Sequence, residues 1–298
     1  MSASGTDERR RGWITVTLAY LAAGLAAWAT VRALPPAMHP LWVAAIADGV
    51  ATLVVFAWSV ARDNSSLYDP YWSVAPLVLA PWLALRPEAG DAVGLRQALV
   101  LGLVFAWGLR LTFNWLRHWQ GLEHEDWRYV DLRRTTGRAY WLLSLVGLHL
   151  MPTVMVFLGC LSLWPALVTG SAPLGWLDLL GGLVCAGAIA CEAVADRQLH
   201  RFRQSRPPPG AILDTGLWAW SRHPNYFGEI MLWWGLWLAG CSAQPGAWWT
   251  VTGPVAMTLL FMFISIPLIE ARMRVRRPRW AEHCRRVSVL VPRPPRGR

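Results

Sequence analysis

Nine consecutive residues, Ser221-Arg222-His223-Pro224-Asn225-Tyr226-Phe227-Gly228-Glu229, concentrate hydrogen-bonding chemistry directly ahead of an apolar run, Ile230 to Ala239. Arg222 and His223 supply cationic donors. Pro224 disfavours helix at the residue before it, so a helix is expected to start at the proline. Asn225, Tyr226 and Glu229 then fall on its first turn, with Tyr226 and Glu229 three residues apart on one side. Polar groups gathered at a membrane boundary are costly unless something binds there. The bland alternative is a charged helix end that snorkels into headgroups.

Other residues invite chemistry of their own. Arg110 and Asn114 are spaced i, i+4 and face one way. Arg110 lies several residues inside an apolar stretch, where a charge needs a partner or a water-filled cavity. Asp63, Tyr68, Asp69 and Tyr71 flank the start of another run. A tyrosine oriented by a carboxylate can donate a proton, and Tyr71 with Asp69 is the pair expected to do so. An ordinary turn beside Pro70 is the competing reading. His124, Glu125 and Asp126 are too close in sequence to converge on one metal ion. They read as a salt-bridged loop with Arg117, Arg128 and Arg133. The five cysteines show no paired spacing and read as small apolar residues. His39, His118, His149, His200 and His283 are isolated and receive no catalytic role.

These residues are carried by membrane helices. Of 298 residues, 55% are hydrophobic and only 15% charged, against about 25% charged in a soluble domain. Apolar runs fall near Trp13–Val31, Leu41–Ala61, Trp72–Leu85, Leu95–Trp115, Trp141–Val168, Leu174–Ala195, Tyr226–Cys241 and Ala247–Ile269. Each is roughly long enough to cross a bilayer except the third, which is short and holds Pro76 and Pro81. The expected fold is an all-α transmembrane bundle of about seven to eight spans. It forms a single integral membrane domain over residues 1–298, whose C-terminal half, about 190–292, builds the site. All 28 cationic side chains are arginine. They cluster at 9–11, 117–138, 197–222 and 272–298, while 163–176 and 241–249 hold none. With eight spans every arginine-rich segment lies on one side, which the positive-inside rule makes cytoplasmic, with both termini there. The expected location is integral to a membrane, with that side facing the cytoplasm. Trp13, Trp42, Trp72, Trp141, Trp176, Trp248 and Trp249 flank the runs as an aromatic belt does.

Asp214 to Trp220 leading into Arg222 to Glu229, together with Asn64 to Ser73, Asn114 to Tyr129 and Glu270 to Pro292, resembles the membrane steroid 5-alpha-reductase-like family, in its bacterial branch. Sterol C14 reductases and isoprenylcysteine methyltransferases share a related pattern. The resemblance implies about seven helices opening toward the cytoplasm, NADPH entering from there, and reduction of an activated C=C bond in a lipid-soluble substrate. It implies a cofactor site at Arg110, Asn114, Asp196, Arg203, Arg222, His223, Asn225, Tyr226, Glu229, Glu270 and Arg274. Arginines suit the phosphates as bidentate partners. Asn225 offers the donors and acceptor that a nicotinamide carboxamide needs. Arg203 or Arg274 is the expected contact for the 2′-phosphate. Trp107 stands where the family's tyrosine is expected, a departure that bears on a steroid substrate.

No Gly-x-Gly-x-x-Gly fingerprint follows a strand, so a Rossmann fold is excluded. The other enzyme class is an S-adenosylmethionine-dependent methyltransferase of a lipid or prenyl thiol. Such enzymes carry two adjacent glutamates after the last span, where this chain has Glu270-Ala271. The expected partners are a lipophilic small molecule and membrane lipids, with no nucleic acid. Oligomeric state stays open.

Overall fold

The protein, described here over residues 3–295 in a computed structural model, is all-helical, with no strand among the described residues. Twelve α-helices follow in order: α1 (Ala3–Ala33), α2 (Pro40–Ala61), α3 (Tyr71–Ala84), α4 (Gly94–His118), α5 (Trp127–Thr136), α6 (Tyr140–Leu143), α7 (Met151–Cys160), α8 (Trp176–Gln204), α9 (Pro224–Ala243), α10 (Thr252–Leu260), α11 (Ile266–Arg276) and α12 (Trp280–Arg286). A π-helical segment, Ser144–Leu150, joins α6 to α7, and another, Phe261–Ser265, joins α10 to α11.

Every apolar run read from the sequence is helical. Among the described residues, six stretches are long and apolar enough to cross a membrane: Arg10–Ala33, Pro40–Ala61, Gly94–His118, Trp127–Thr169, Trp176–Gln204 and Pro245–Arg276. That is fewer than the seven or eight expected. The 14 residues of α3 reach only about 21 Å at 1.5 Å each, short of a hydrocarbon core of about 30 Å. Pro76 and Pro81 lie inside it. The other run outside the six is α9, 20 residues long. The termini themselves lie outside the described residues. A reporter fused at either end is expected to report a cytoplasmic location, as the arginine distribution requires. A periplasmic C-terminal reporter would overturn that orientation.

Contacts divide the chain into two compact units. The first is residues 1–82 and 108–157. The second is residues 83–107 and 158–298.

In the first unit, the α2–α3 connection is bolted to the loop before α5. Asn64 Nδ2 donates to the Leu122 (2.6 Å) and His124 (3.2 Å) carbonyls. The Ser65 amide donates to Glu125 (2.7 Å), and the Asp126 amide to Ser66 Oγ (2.9 Å). Glu125 also pairs with Arg133 (3.4 Å), so this acidic loop is the salt-bridged structure its composition suggested.

In the second unit, α8 and α9 pack backbone to backbone. A Cβ on Gly228 would sit 2.8 Å from the Ala188 carbonyl, and one on Gly181 would sit 2.7 Å from that of Gly235. Small residues permit this approach where lipid supplies no hydrophobic drive between helices.

Candidate cofactor site

Pro224 is the first residue of α9, and His223 before it is non-helical (φ −138°, ψ 59°). The turn at Ser221-Arg222 is held by the C-terminal tail, which folds back along it. Arg222 N–H donates to the Ser288 carbonyl (2.9 Å), Ser221 Oγ to that of Leu290 (2.6 Å), and Arg293 N–H to that of Trp220 (3.1 Å). The Arg222 side chain completes the clasp. Its Nε donates to Glu270 Oε1 (2.7 Å), and Nη1 to the carbonyls of Val287 (2.7 Å) and Cys284 (3.2 Å). His223 Nε2 lies 3.3 Å from the same Glu270 oxygen. The His223 ring stacks on Tyr226 (5.5 Å between centroids, 7° between planes), which meets Phe261 in turn. Arg222, His223, Tyr226 and Glu270 are therefore one assembly.

Against this clasp opens a cleft of about 250 Å³, lined by Arg222, Arg285, Arg286 and Arg293 together with Cys284 and Ser288. Among the described residues, none that lines it is acidic. Arg286 also lines an adjoining hollow of about 160 Å³ with Gly210, Asp214, Arg279, Glu282 and His283. The Arg286 Nε is buried and has no hydrogen-bond partner among the described residues. A buried unsatisfied donor is costly, and more so on a charged group. Burial, and then the Arg222 charge, holds His283 below its ordinary value, so it is neutral at pH 7. Burial also pushes the Cys284 thiol up, which removes it as a thiolate nucleophile.

The remaining expected residues lie elsewhere. Glu229 is buried, and its two oxygens accept from the indoles of Trp107 (2.9 Å) and Trp233 (3.0 Å). Asn225 is half-buried on the first turn of α9. Asp196 lies on α8, and Arg203 is exposed near the end of that helix. Arg274 is exposed on α11, and neither arginine lines the cleft. Arg110 and Asn114, in α4, belong to the first unit, whereas Arg222 to Glu229 belong to the second.

The structure corrects the proposed Tyr71–Asp69 pair. Tyr71 donates instead to Asp48 on α2 (2.6 Å), and Asp69 accepts from Tyr129 on α5 (2.6 Å). Residues two apart at a helix start diverge, so each finds a partner across the unit. Burial raises the Asp69 carboxyl to about 7, against the lowering effects of Arg128 and the Tyr129 hydrogen bond. Folded Asp69 thus keeps its proton over a range where the unfolded chain, near pH 4, has released it. Its contribution to stability is therefore full at low pH and declines as pH rises from about 4 to about 7. Melting curves across that window are expected to show this slope, and Asp69→Asn to flatten it.

Fold and site together define a polytopic helical membrane protein with an arginine-lined cleft beside its last apolar helix. A family model described as a protein of unknown function, DUF1295, matches residues 55–287, and the chain belongs to that family. It is similar to the uncharacterized protein C594.04c of Schizosaccharomyces pombe, at 24% identity over 236 residues covering 72% of this chain and 68% of the relative. No solved structure matches the chain.

Proposed function

We propose that the protein is an NADPH-dependent membrane reductase acting on an activated C=C bond of a lipophilic substrate of the sterol, terpenoid or enone kind. The observation that carries this reading is the buried Nε of Arg286, unsatisfied among the described residues, in a cleft whose described lining has four arginines and no carboxylate. That donor set fits a diphosphate and an additional phosphate, the groups arginine forks bind best. Arg285, Arg286 and Arg293 would hold them, while Arg222 and Glu270 fix the wall of the cleft. When bound, the cofactor supplies the hydride. The resemblance to steroid 5-alpha-reductase-like proteins supports the same chemistry. Tyr71, oriented by Asp48 at 2.6 Å, is the proposed proton donor to the substrate.

The methyltransferase reading gains no support from the cleft. Its cofactor carries a sulfonium cation, which four guanidinium groups repel, and the paired glutamates are missing. Titration of the purified protein with NADPH, NADH and S-adenosylmethionine decides between the two. NADPH is expected to bind tighter than NADH by about tenfold to a hundredfold, the value of one charge-assisted hydrogen bond to the extra phosphate. Equal affinity for both nucleotides would remove the 2′-phosphate assignment. Tighter binding of S-adenosylmethionine than of either would establish the methyltransferase.

A further inference from the structure

The segment after α12, residues 288–295, is built to run extended. Val289 and Val291 favour extended backbone. Pro292, Pro294 and Pro295 disfavour helix at the residues before them and supply no N–H. Within the second unit this segment turns back along Trp220-Ser221-Arg222, with Ser221 and Ser288 in a parallel bridge. Ser288 Oγ donates to the Trp220 carbonyl (2.9 Å), beside the bonds already described from Arg222 N–H and Ser221 Oγ.

The two halves of this segment are held unequally. Val287 and Leu290 are buried, so apolar packing anchors the near half. Val291 is 59% exposed, and residues 293–295 are exposed as well. Beyond Leu290, one hydrogen bond among the described residues ties the segment to the rest of the unit, Arg293 N–H to the Trp220 carbonyl (3.1 Å). One such bond contributes little net stability. The Arg293 side chain lines the cleft together with Arg285 and Arg286. Among the described residues, no salt bridge or side-chain hydrogen bond engages any of these three guanidinium groups. Glu282 lines the adjoining hollow, where it is paired with Arg279 (3.2 Å). Arg222 is committed already, through Nε to Glu270 and through Nη1 to the Val287 and Cys284 carbonyls. Like charges gathered in this way repel, and the outer half of the segment is the part that repulsion can lift.

We propose that residues 291–295 are an anion-gated strap on the cleft. A phosphate-bearing ligand held by Arg285 and Arg286 draws in the Arg293 guanidinium and so latches the strap onto Trp220. The strap rests on the reading of this cleft as a phosphate site and adds its regulation. Binding and latching are then one equilibrium. Whatever factor Arg293 adds to the affinity for the ligand, the ligand adds to the docking of the strap. A charge-assisted hydrogen bond sets that factor at about tenfold to a hundredfold. The consequence is retention, because a ligand leaves the cleft faster once the strap has lifted and taken Arg293 with it.

The test is hydrogen exchange of the Arg293 amide in the full chain, held in nanodiscs. Pro292 and Pro294 flank that amide and carry none of their own, so mass spectrometry of tail fragments isolates it. Inorganic pyrophosphate is the probe, with sodium chloride at equal ionic strength as the control for screening. Saturating pyrophosphate is expected to slow the exchange by about tenfold to a hundredfold. Arg293→Ala keeps the backbone N–H and its bond to Trp220. Its exchange is expected not to respond to pyrophosphate, and its affinity for pyrophosphate to fall by the factor that slowed the wild type. Arg293→Lys keeps the charge and is expected to recover part of both effects. Melting curves verify folding of the variants, whose altered side chain is exposed. Pyrophosphate that binds without slowing Arg293 exchange would overturn the strap, as would pyrophosphate that does not bind. The same two measurements with NADPH separate the strap from the reductase. A strap latched by pyrophosphate in a protein that binds no NADPH would stand while the reductase fell. NADPH that binds with Arg293 exchange unchanged would remove the strap and leave the reductase.

Discussion

Asp178→Ala is expected to destabilise the protein by about 3–5 kcal/mol, the cost of stranding one member of a buried ion pair. The Arg96 side chain is fully buried and that of Asp178 is 5% exposed. The two form a fork, Nε to Oδ1 at 2.6 Å and Nη2 to Oδ2 at 2.9 Å. Arg96 also donates to the carbonyls of Ala172 (2.9 Å) and Pro173 (3.1 Å). Asp178 accepts from Ser242 Oγ and from the Gly175 amide that opens α8. Alanine at 178 therefore leaves a guanidinium in an apolar interior with only carbonyls to satisfy it. Denaturant unfolding in detergent measures the loss. Arg96→Leu with Asp178→Leu is expected to recover much of it, because both charges are then gone. A single variant as stable as the wild type would mean that water reaches the pair.

Arg286→Ala is expected to weaken NADPH binding by about tenfold to a hundredfold with little change in melting temperature. Its Nε has no acceptor among the described residues, so its removal breaks no hydrogen bond there, while a bound phosphate loses a charge-assisted one. Arg222→Ala is a different experiment. Arg222 makes three hydrogen bonds that hold Glu270 and the tail, so its loss is expected to lower the melting temperature as well as the affinity. Titrations beside melting curves separate the two cases. Raised salt should weaken binding to the wild type more than to Arg286→Ala, because one screened contact is already absent. Unchanged affinity in Arg286→Ala and in Arg285→Ala with Arg286→Ala would exclude the cleft as the phosphate site.

Local pattern alone was enough for the helices. Long apolar runs leave helix as the structure that satisfies backbone groups inside a bilayer, and each run is helical. Pro224 marks the start of α9, because proline is preset for a helix's first turn and hostile to helix before it. The brevity of α3 was equally visible at Trp72–Leu85.

Partnership was decided by tertiary structure. Tyr71 takes Asp48, 23 residues away, instead of neighbouring Asp69, because side chains two apart on a helix point in different directions. Arg96 gains its partner only because α8 brings Asp178, 82 residues distant, against it. Glu229 sits in the motif that looked most like a binding site, yet it holds the indoles of Trp107 and Trp233. Arg285, Arg286 and Arg293 were indistinguishable from other tail arginines in a basic segment. They become a cleft only because the tail returns to pair Ser288 with Ser221. Sequence specifies which groups are present and which helix carries them. A hydrogen bond or ion pair requires approach within about 3 Å, and that distance is set by how separated segments pack.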